Sequence, residues 1–211
     1  MPAYAVSTVP YPPTETHVTS YFTIRLLGLQ RDAHAFGSTY GRESTFTREQ
    51  WRARLDALDR TTFFVRTEPP PSDLVADSTE TWVGTASLLS PAFLTEVGFS
   101  PPRHLVEEDE AVYILVGMWI HTDHRRRGLG KRVIETVMEK VWSEDGETRR
   151  KVLMLQVHEQ NTAAKGLYER LGFVDGGPDS DSPGEIWMTF RKDRKGGTSQ
   201  VCTLRRIDED R

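Results

Sequence analysis

Residues 111–120, AVYILVGMWI, carry no charge and no polar–apolar alternation, the pattern of a strand covered on both faces. Residues 151–157, KVLMLQV, come close to repeating it. Between the two runs Leu129, Val133, Ile134, Val137, Met138, Val141 and Trp142 recur at helical spacing, while Arg132, Glu135, Glu139 and Lys140 fall elsewhere on the wheel. That predicts a helix with one face against a sheet. A second helix is expected over residues 161–171. Ala164, Leu167, Tyr168 and Leu171 stand at i, i+3, i+4 and i+7, Asn161 suits an N-cap, and Gly172 suits a left-handed stop.

Upstream the pattern is weaker. YFTIRLLG, residues 21–28, has the β-branched and aromatic content of a strand. Residues 30–58 predict two short helices broken at Gly41, the second capped near Thr47 with Glu49 and Gln50 in its first turn. TTFFVRT and TWVGTASLLS predict a hairpin with a long tip, where the prolines of EPPPSD forbid regular pairing. Residues 91–110 read as an irregular excursion, and GEIWMTF as a final strand. Three units follow: a loose Pro/Thr/Ser-rich arm over 1–18, one domain over 19–190, and a polar tail over 191–211 with room for a short strand at VCTLRR.

Composition narrows the classes. A chain of 211 residues is long enough to bury one core without staples. Its 27 basic residues are outnumbered by 31 acidic ones, which argues against a general nucleic-acid binder and makes any arginine cluster a local site. Cys202 is alone, so no intrachain disulfide forms and a reducing compartment is expected. No apolar run approaches the roughly 20 residues that span a bilayer. No leader pattern is evident, so a soluble cytoplasmic protein with no membrane partner is the expectation.

The chemistry concentrates in HRRRGLG, residues 124–130, at the start of the first predicted helix. Gly128 and Gly130 remove Cβ atoms that would hold a ligand off the backbone. The first N–H groups of a helix lack internal partners and carry the positive end of its dipole, so strand, glycine turn and helix make an anion cradle. Arg125, Arg126 and Arg127 add charge suited to phosphate oxygens. A dinucleotide fingerprint fails because Val133 stands where its third glycine belongs. A P-loop fails at Arg125 and Arg132. A solvated basic turn that merely caps a helix stays open on these residues alone.

The second motif changes that balance. HRRRGLG resembles the [Gln/Arg]-x-x-Gly-x-[Gly/Ala] signature of the GNAT superfamily of acetyl-CoA-dependent N-acetyltransferases, with Arg125, Gly128 and Gly130 in the defining places. VHEQNTAAKGLYERLGF, residues 157–173, resembles its partner motif at Asn161, Ala164, Tyr168, Gly172 and Phe173, and AHAFGSTYGRE is similar to an early family segment. The resemblance spans roughly residues 20 to 190. It implies an α/β (α+β) fold: a mixed, mostly antiparallel sheet whose central parallel strand pair splays apart, with helices on both faces. It also implies that acetyl-CoA is the co-substrate. The backbone of Met118, Trp119 and Ile120 would meet its pantetheine arm, and the turn Arg125, Arg126, Arg127, Gly128, Leu129, Gly130 and Lys131 would hold its pyrophosphate. Asn161 and Ala164 would lie beside the coenzyme, and Tyr168 would direct its hydroxyl at the sulfur.

Direct attack of an amine on acetyl-CoA, without an acyl-enzyme, is the chemistry that the resemblance implies. Tyr168 is then the candidate catalytic acid, and no base is assigned. Glu107, Glu108, Asp109, Glu110, His121 and His158 have ordinary structural roles to set against that one. His121 and His124 lack the glutamate of a zinc helix motif, so no metal is expected. The acceptor, a small-molecule or peptide amine, would enter near AFGSTYGRES and DGGPDSDSPGE, where Glu43, Asp175, Asp179, Asp181 and Glu185 offer negative charge. A homodimer is left open. The rivals are a non-catalytic acyl-CoA-binding regulator and, disfavoured by charge, an RNA-binding module.

Overall fold

The two apolar runs lie side by side. In the computed structural model, which describes residues 3–67, 81–143 and 150–192, they form β4 (Glu110–Ile120) and β5 (Arg150–His158), the parallel pair of a sheet of seven strands among the described residues. The others are β1 (Tyr4–Thr8), β2 (Arg60–Thr67), β3 (Trp82–Leu89), β6 (Val174–Pro178) and β7 (Glu185–Phe190). The order is β1-β2-β3-β4-β5-β7-β6, with antiparallel pairing everywhere except β4 to β5.

Helices cover both faces. α5 (Leu129–Ser143) and α6 (Thr162–Arg170) pack on one face, where Leu129, Val133, Ile134, Val137 and Val141 join Phe63, Val65, Leu153 and Leu155 in the main core. On the opposite face, to which the alternate strand positions point, α1 (Glu15–Arg31) and α3 (Arg48–Ala53) bring Val18, Tyr21, Ile24 and Trp51 onto Phe64, Trp82 and Trp119. Farther along, α4 (Pro91–Glu96) places Leu94 on Ile114, Met154 and Trp187. The described residues contain no helix long and apolar enough to cross a membrane.

The central pair splays. β4 and β5 are in register from Glu110↔Arg150 to Leu115↔Leu155 and then part. β4 turns with β3, with an irregularity between Thr85 and Ser87, and Gly117 at φ 61° supplies a bend that a side chain would strain. β5 stays with β7 as far as His158↔Glu185. A gap between Met118 and Val157 is the result.

Several sequence expectations need correction. YFTIRLLG is not a strand but the middle of α1. Thr14 caps that helix by accepting from the His17 N–H, and Val18, Tyr21, Ile24, Gly28 and Leu29 bury one helical face. The segment before Thr19 contains β1, paired from Tyr4↔Thr67 to Thr8↔Phe63, and the first turn of α1. Gly41 lies inside α2 (Tyr40–Glu43) and breaks nothing. The excursion after Leu89 holds α4, with Ser90 as cap and Pro91 at the first helical position. DGGP belongs to β6, an edge strand, where a terminal proline is tolerated. Thr47 does cap α3, in a reciprocal box with Gln50. EPPPSD, VCTLRR and Cys202 lie outside the described residues.

Candidate functional site

β4 delivers three consecutive residues to the gap. The His121 N–H donates to the Val83 carbonyl (2.8 Å), so main-chain groups two residues earlier, at Trp119, also turn toward β3. Ile120 therefore aims its own into the gap, and Met118, at the irregularity opposite Ala86, lines it. The Ile120 carbonyl is already taken by the Nε of Arg125 at 2.8 Å.

The turn that follows is stapled. Arg125 also reaches the Asp32 carboxylate at 2.5 Å, and the indole N–H of Trp119 donates to the same oxygen at 2.6 Å. Burial works to raise the Asp32 pKa, but the bonds from Trp119 and Arg125 outweigh it and hold the carboxyl below its ordinary value. Arg126 takes the left-handed conformation at φ 58° and Gly128 at φ 75°. A Cβ on Gly128 would meet no heavy atom within 4 Å, whereas one on Gly130 would stand 3.1 Å from Leu167 and 3.3 Å from Met118. Gly128 thus keeps open space open, and Gly130 lets α5, α6 and β4 approach. The leading N–H groups of the 15-residue α5 have no partners inside the helix.

α6 closes the far side. Asn161 caps it by accepting from the Ala164 N–H at 3.2 Å. One turn on, Tyr168 is 8% exposed, packs against Phe173 and donates its hydroxyl to the Met118 sulfur at 3.8 Å. Burial pushes its pKa up to about 12.

Two cavities meet here. The first, about 560 Å³, is lined by Met118, Trp119, Ile120, Arg125, Arg126, Gly128, Leu129, Gly130, Lys131, Asn161, Ala164 and Tyr168, with Asp32 at its edge. Of the residues expected to hold the coenzyme, Arg127 alone is missing from its wall. Arg127 lies over the Tyr4 ring and donates to the Asp123 carbonyl. The second, about 570 Å³, shares Met118, Asn161, Ala164 and Tyr168 with the first and opens on the α1 face of the sheet.

The second cavity is bounded by the segments expected near an acceptor, including Phe36, Gly37, Ser38, Glu43, Ser182 and Glu185. Its acids behave differently from one another. Glu43 is fully buried, gripped by Arg25 at 2.7 and 2.9 Å and by Arg54 at 3.0 Å. Burial alone would raise its pKa, yet the bond and charge of Arg25, aided by Arg54, lower it to about 2. Glu43 is therefore neutralised in place. Burial raises the Glu185 pKa above the ordinary carboxylate value. Asp175 pairs with Lys165, while Asp179 accepts from Gln156, and neither Asp175, Asp179 nor Asp181 lines this cavity. Glu107 and Glu110 bind Arg150 and Arg191 at the start of β4. Eight residues at about 3.3 Å each put Glu110 roughly 26 Å along the strand from Met118.

Sequence reasoning missed Asp32, Arg25, Arg54 and Arg60 as site residues. The only local signal was Arg25, a charge on the apolar face of what proved to be α1. Among the described residues no three His, Cys, Asp or Glu side chains group as metal ligands. His124 instead bonds the Tyr4 hydroxyl at 3.0 Å.

Comparison with known proteins gives a family and a fold. Residues 32–173 match the family model described as Acetyltransferase (GNAT) family. A "5-NmdU N-acetyltransferase" of Pseudomonas phage PaMx11 is 35% identical over 80 residues, which are 38% of this chain and 51% of that one. The matched stretch spans about half the length of that curated relative. Two solved structures share the fold. Arabidopsis thaliana NAA60 in complex with acetyl-CoA is 10% identical, with 90% of this chain and 98% of that one covered and a TM-score of 0.56. The ribosomal-protein-S18-alanine N-acetyltransferase of Escherichia coli is 18% identical, with 94% and 99% covered and a TM-score of 0.53.

Proposed function

This chain belongs to the acetyltransferase (GNAT) family, and we propose that it moves an acetyl group from acetyl-CoA to a primary amine by direct attack within a ternary complex. The observation that carries the reading is the meeting of two cavities at Met118 and Tyr168. Each co-substrate has its own chamber, and the reacting atoms meet at the shared wall. A binding protein without turnover has no use for the second chamber, which disfavours an acyl-CoA-binding regulator.

In this reading the first cavity takes the coenzyme. The leading N–H groups of α5 and the open space above Gly128 receive the pyrophosphate, and Arg126 and Lys131 add charge around it. Arg125 mainly shapes the turn, because Ile120 and Asp32 hold its Nε and one terminal nitrogen in place. The main-chain N–H groups of Met118 and Ile120 would meet the pantetheine arm and the thioester, where a fixed N–H stabilises a developing oxyanion without reorganising.

Tyr168 sits where the leaving sulfur would emerge. A phenol near pKa 12 stays protonated at neutral pH, and a departing thiol near 8.5 is a tolerable leaving group. Full proton transfer between them is uphill by about 3.5 units, or roughly 5 kcal/mol. Tyr168 therefore assists by donating a hydrogen bond to the sulfur as charge grows on it, and solvent completes the transfer. The amine enters through the second cavity and must lose its own proton before attack. Among the described side chains that line this chamber, Glu185 and His158 are the groups able to take it, directly or through water.

The test is thiol release from acetyl-CoA across a panel of primary amines, run beside a thermal-shift titration with acetyl-CoA. Binding only to the folded state adds about 2.7 kcal/mol at roughly 100 times Kd, so the midpoint should climb with concentration. No climb would remove the coenzyme reading, and a climb without thiol release from any amine would favour the regulator.

A further inference from the structure

The second cavity has four guanidinium groups on its wall, Arg25, Arg42, Arg54 and Arg60, against two carboxylates, Glu43 and Glu185. Their availability differs. Arg25 and Arg54 are both spent on Glu43. The Arg42 side chain is at the exposed rim. Arg60 is half-buried, and no carboxylate pairs with it among the described residues. One of its terminal nitrogens contacts only the hydroxyls of Tyr21 and Ser87, at 3.3 and 3.4 Å, and its Nε is buried without any hydrogen-bond partner.

A charged donor left unmet in a wall is costly unless something visits it, since buried charges are otherwise paired. The Tyr21 and Ser87 oxygens accept from Arg60, which leaves the Tyr21 proton to donate, and both Tyr21 and Arg60 line the cavity. The neighbouring Thr62 hydroxyl shares a hydrogen bond with Ser87 at 3.0 Å and holds it in place. This is a donor set around a half-buried positive charge that no carboxylate of the described residues pairs.

We propose that Arg60, with Tyr21, binds a carboxylate on the acceptor, so that the substrate is an amine joined through a short chain to a carboxylate group. The assignment rests on the second cavity being the acceptor chamber, as in the proposed function. A half-buried cation flanked only by neutral hydroxyls suits a singly charged group, and a planar guanidinium fits the two coplanar oxygens of a carboxylate. The spacing limits the chain. Ser87 lies opposite Val116, two residues before Met118, or about 7 Å along β4 and one strand over. An α-amino acid holds its nitrogen and carboxylate much closer than that, so the amine is on a side chain or at the far end of a short peptide.

The experiment uses matched probes: 5-aminopentanoate, pentylamine and 4-aminobutyl phosphate, with thiol release from acetyl-CoA as the readout. Loss of a charge-assisted contact predicts kcat/KM about ten- to hundredfold higher for 5-aminopentanoate than for pentylamine. In Arg60→Ala that ratio should fall to near one, and in Arg60→Lys it should be intermediate. A merely structural Arg60 would lower both rates alike and preserve the ratio, which would overturn the proposal. So would equal rates for the acid and pentylamine in the unaltered protein, or a phosphate that outperforms the carboxylate. If no probe releases thiol, acetyl transfer to these amines has failed but the site is still tested. With coenzyme A present, 5-aminopentanoate must raise the melting midpoint more than pentylamine, and Arg60→Ala must abolish the difference; no difference in the unaltered protein overturns the assignment.

Discussion

The hydroxyl of Tyr168, on α6, points across the gap to the sulfur of Met118, on β4, at 3.8 Å. A sulfur is a weak acceptor, so this bond is readily exchanged for a better one. Tyr168→Phe removes only the hydroxyl. It should lower kcat by about tenfold, below the usual 10²–10⁴ of acid catalysis because the raised pKa makes Tyr168 a reluctant donor. The KM for acetyl-CoA should hardly move. Tyr168→Ala should instead cost roughly 3 kcal/mol of stability through the cavity it leaves. A stable Tyr168→Phe enzyme with full kcat would remove Tyr168 from the chemistry.

The same tyrosine has a pH signature. Its folded pKa is raised from the ordinary phenol value of 10.0 to about 12, so the folded state holds the proton more tightly than the unfolded chain. The associated stability is whole below about pH 10 and disappears as the pH rises toward 12. Spectroscopic titration near 295 nm should show a late-ionising phenol that is missing in Tyr168→Phe.

Glu43 gives the opposite sign. Its pKa falls from 4.5 to about 2 on folding, so its contribution is present above about pH 4.5 and is lost as the pH drops toward 2. Glu43→Gln should make acid unfolding over that window shallower. At neutral pH it should cost roughly 3–5 kcal/mol, since Arg25 and Arg54 would face a neutral amide. Melting midpoints from pH 2 to 7 for both proteins check this.

The two glycines of the turn should fail differently. Gly128→Val adds a side chain in the left-handed region, costing about 1–2 kcal/mol of backbone strain, and projects it into open space. The protein should fold yet lose its thermal shift with acetyl-CoA. Gly130→Val presses on Leu167 and Met118 and should lower the melting midpoint without any ligand.

Arg125 and Arg126 separate in the same way. Arg126→Ala should raise the KM for acetyl-CoA modestly, and more at low salt, because an exposed charge–phosphate contact is screened. Arg125→Ala breaks the bonds to Ile120 and Asp32 and should cost about 1–3 kcal/mol of stability. Equal salt dependence in the two variants would contradict that division.

What the sequence discloses depends on how local the cause is. The α5 turn and the α6 cap were legible because the glycines, the asparagine and the helical period all act within a few residues. α1 was misread because eight residues of aromatic and branched side chains satisfy a strand's preferences, while its decisive cap, Thr14, lies outside that window. β6 was hidden by glycines that resemble a turn, and only its pairing with β7 makes it a strand. The Asp32 staple was beyond reach, since Trp119 and Arg125 lie 87 and 93 residues away. Arg60 was unreadable for the same reason: its lack of a partner is a property of the folded neighbourhood.

The parting of β4 from β5 gives the sheet two leaves. One is β1-β2-β3-β4 and the other β5-β7-β6, and they share a spine of six register pairs from Glu110↔Arg150 to Leu115↔Leu155. Past that spine each leaf presents a strand edge to the gap, where the two cavities open. A molecule that lies between them and bonds to both edges stitches the leaves together like a seam. The amides of Met118 and Ile120 should then exchange their hydrogens far more slowly, while those of Tyr113 and Leu115, inside the spine, stay as they were.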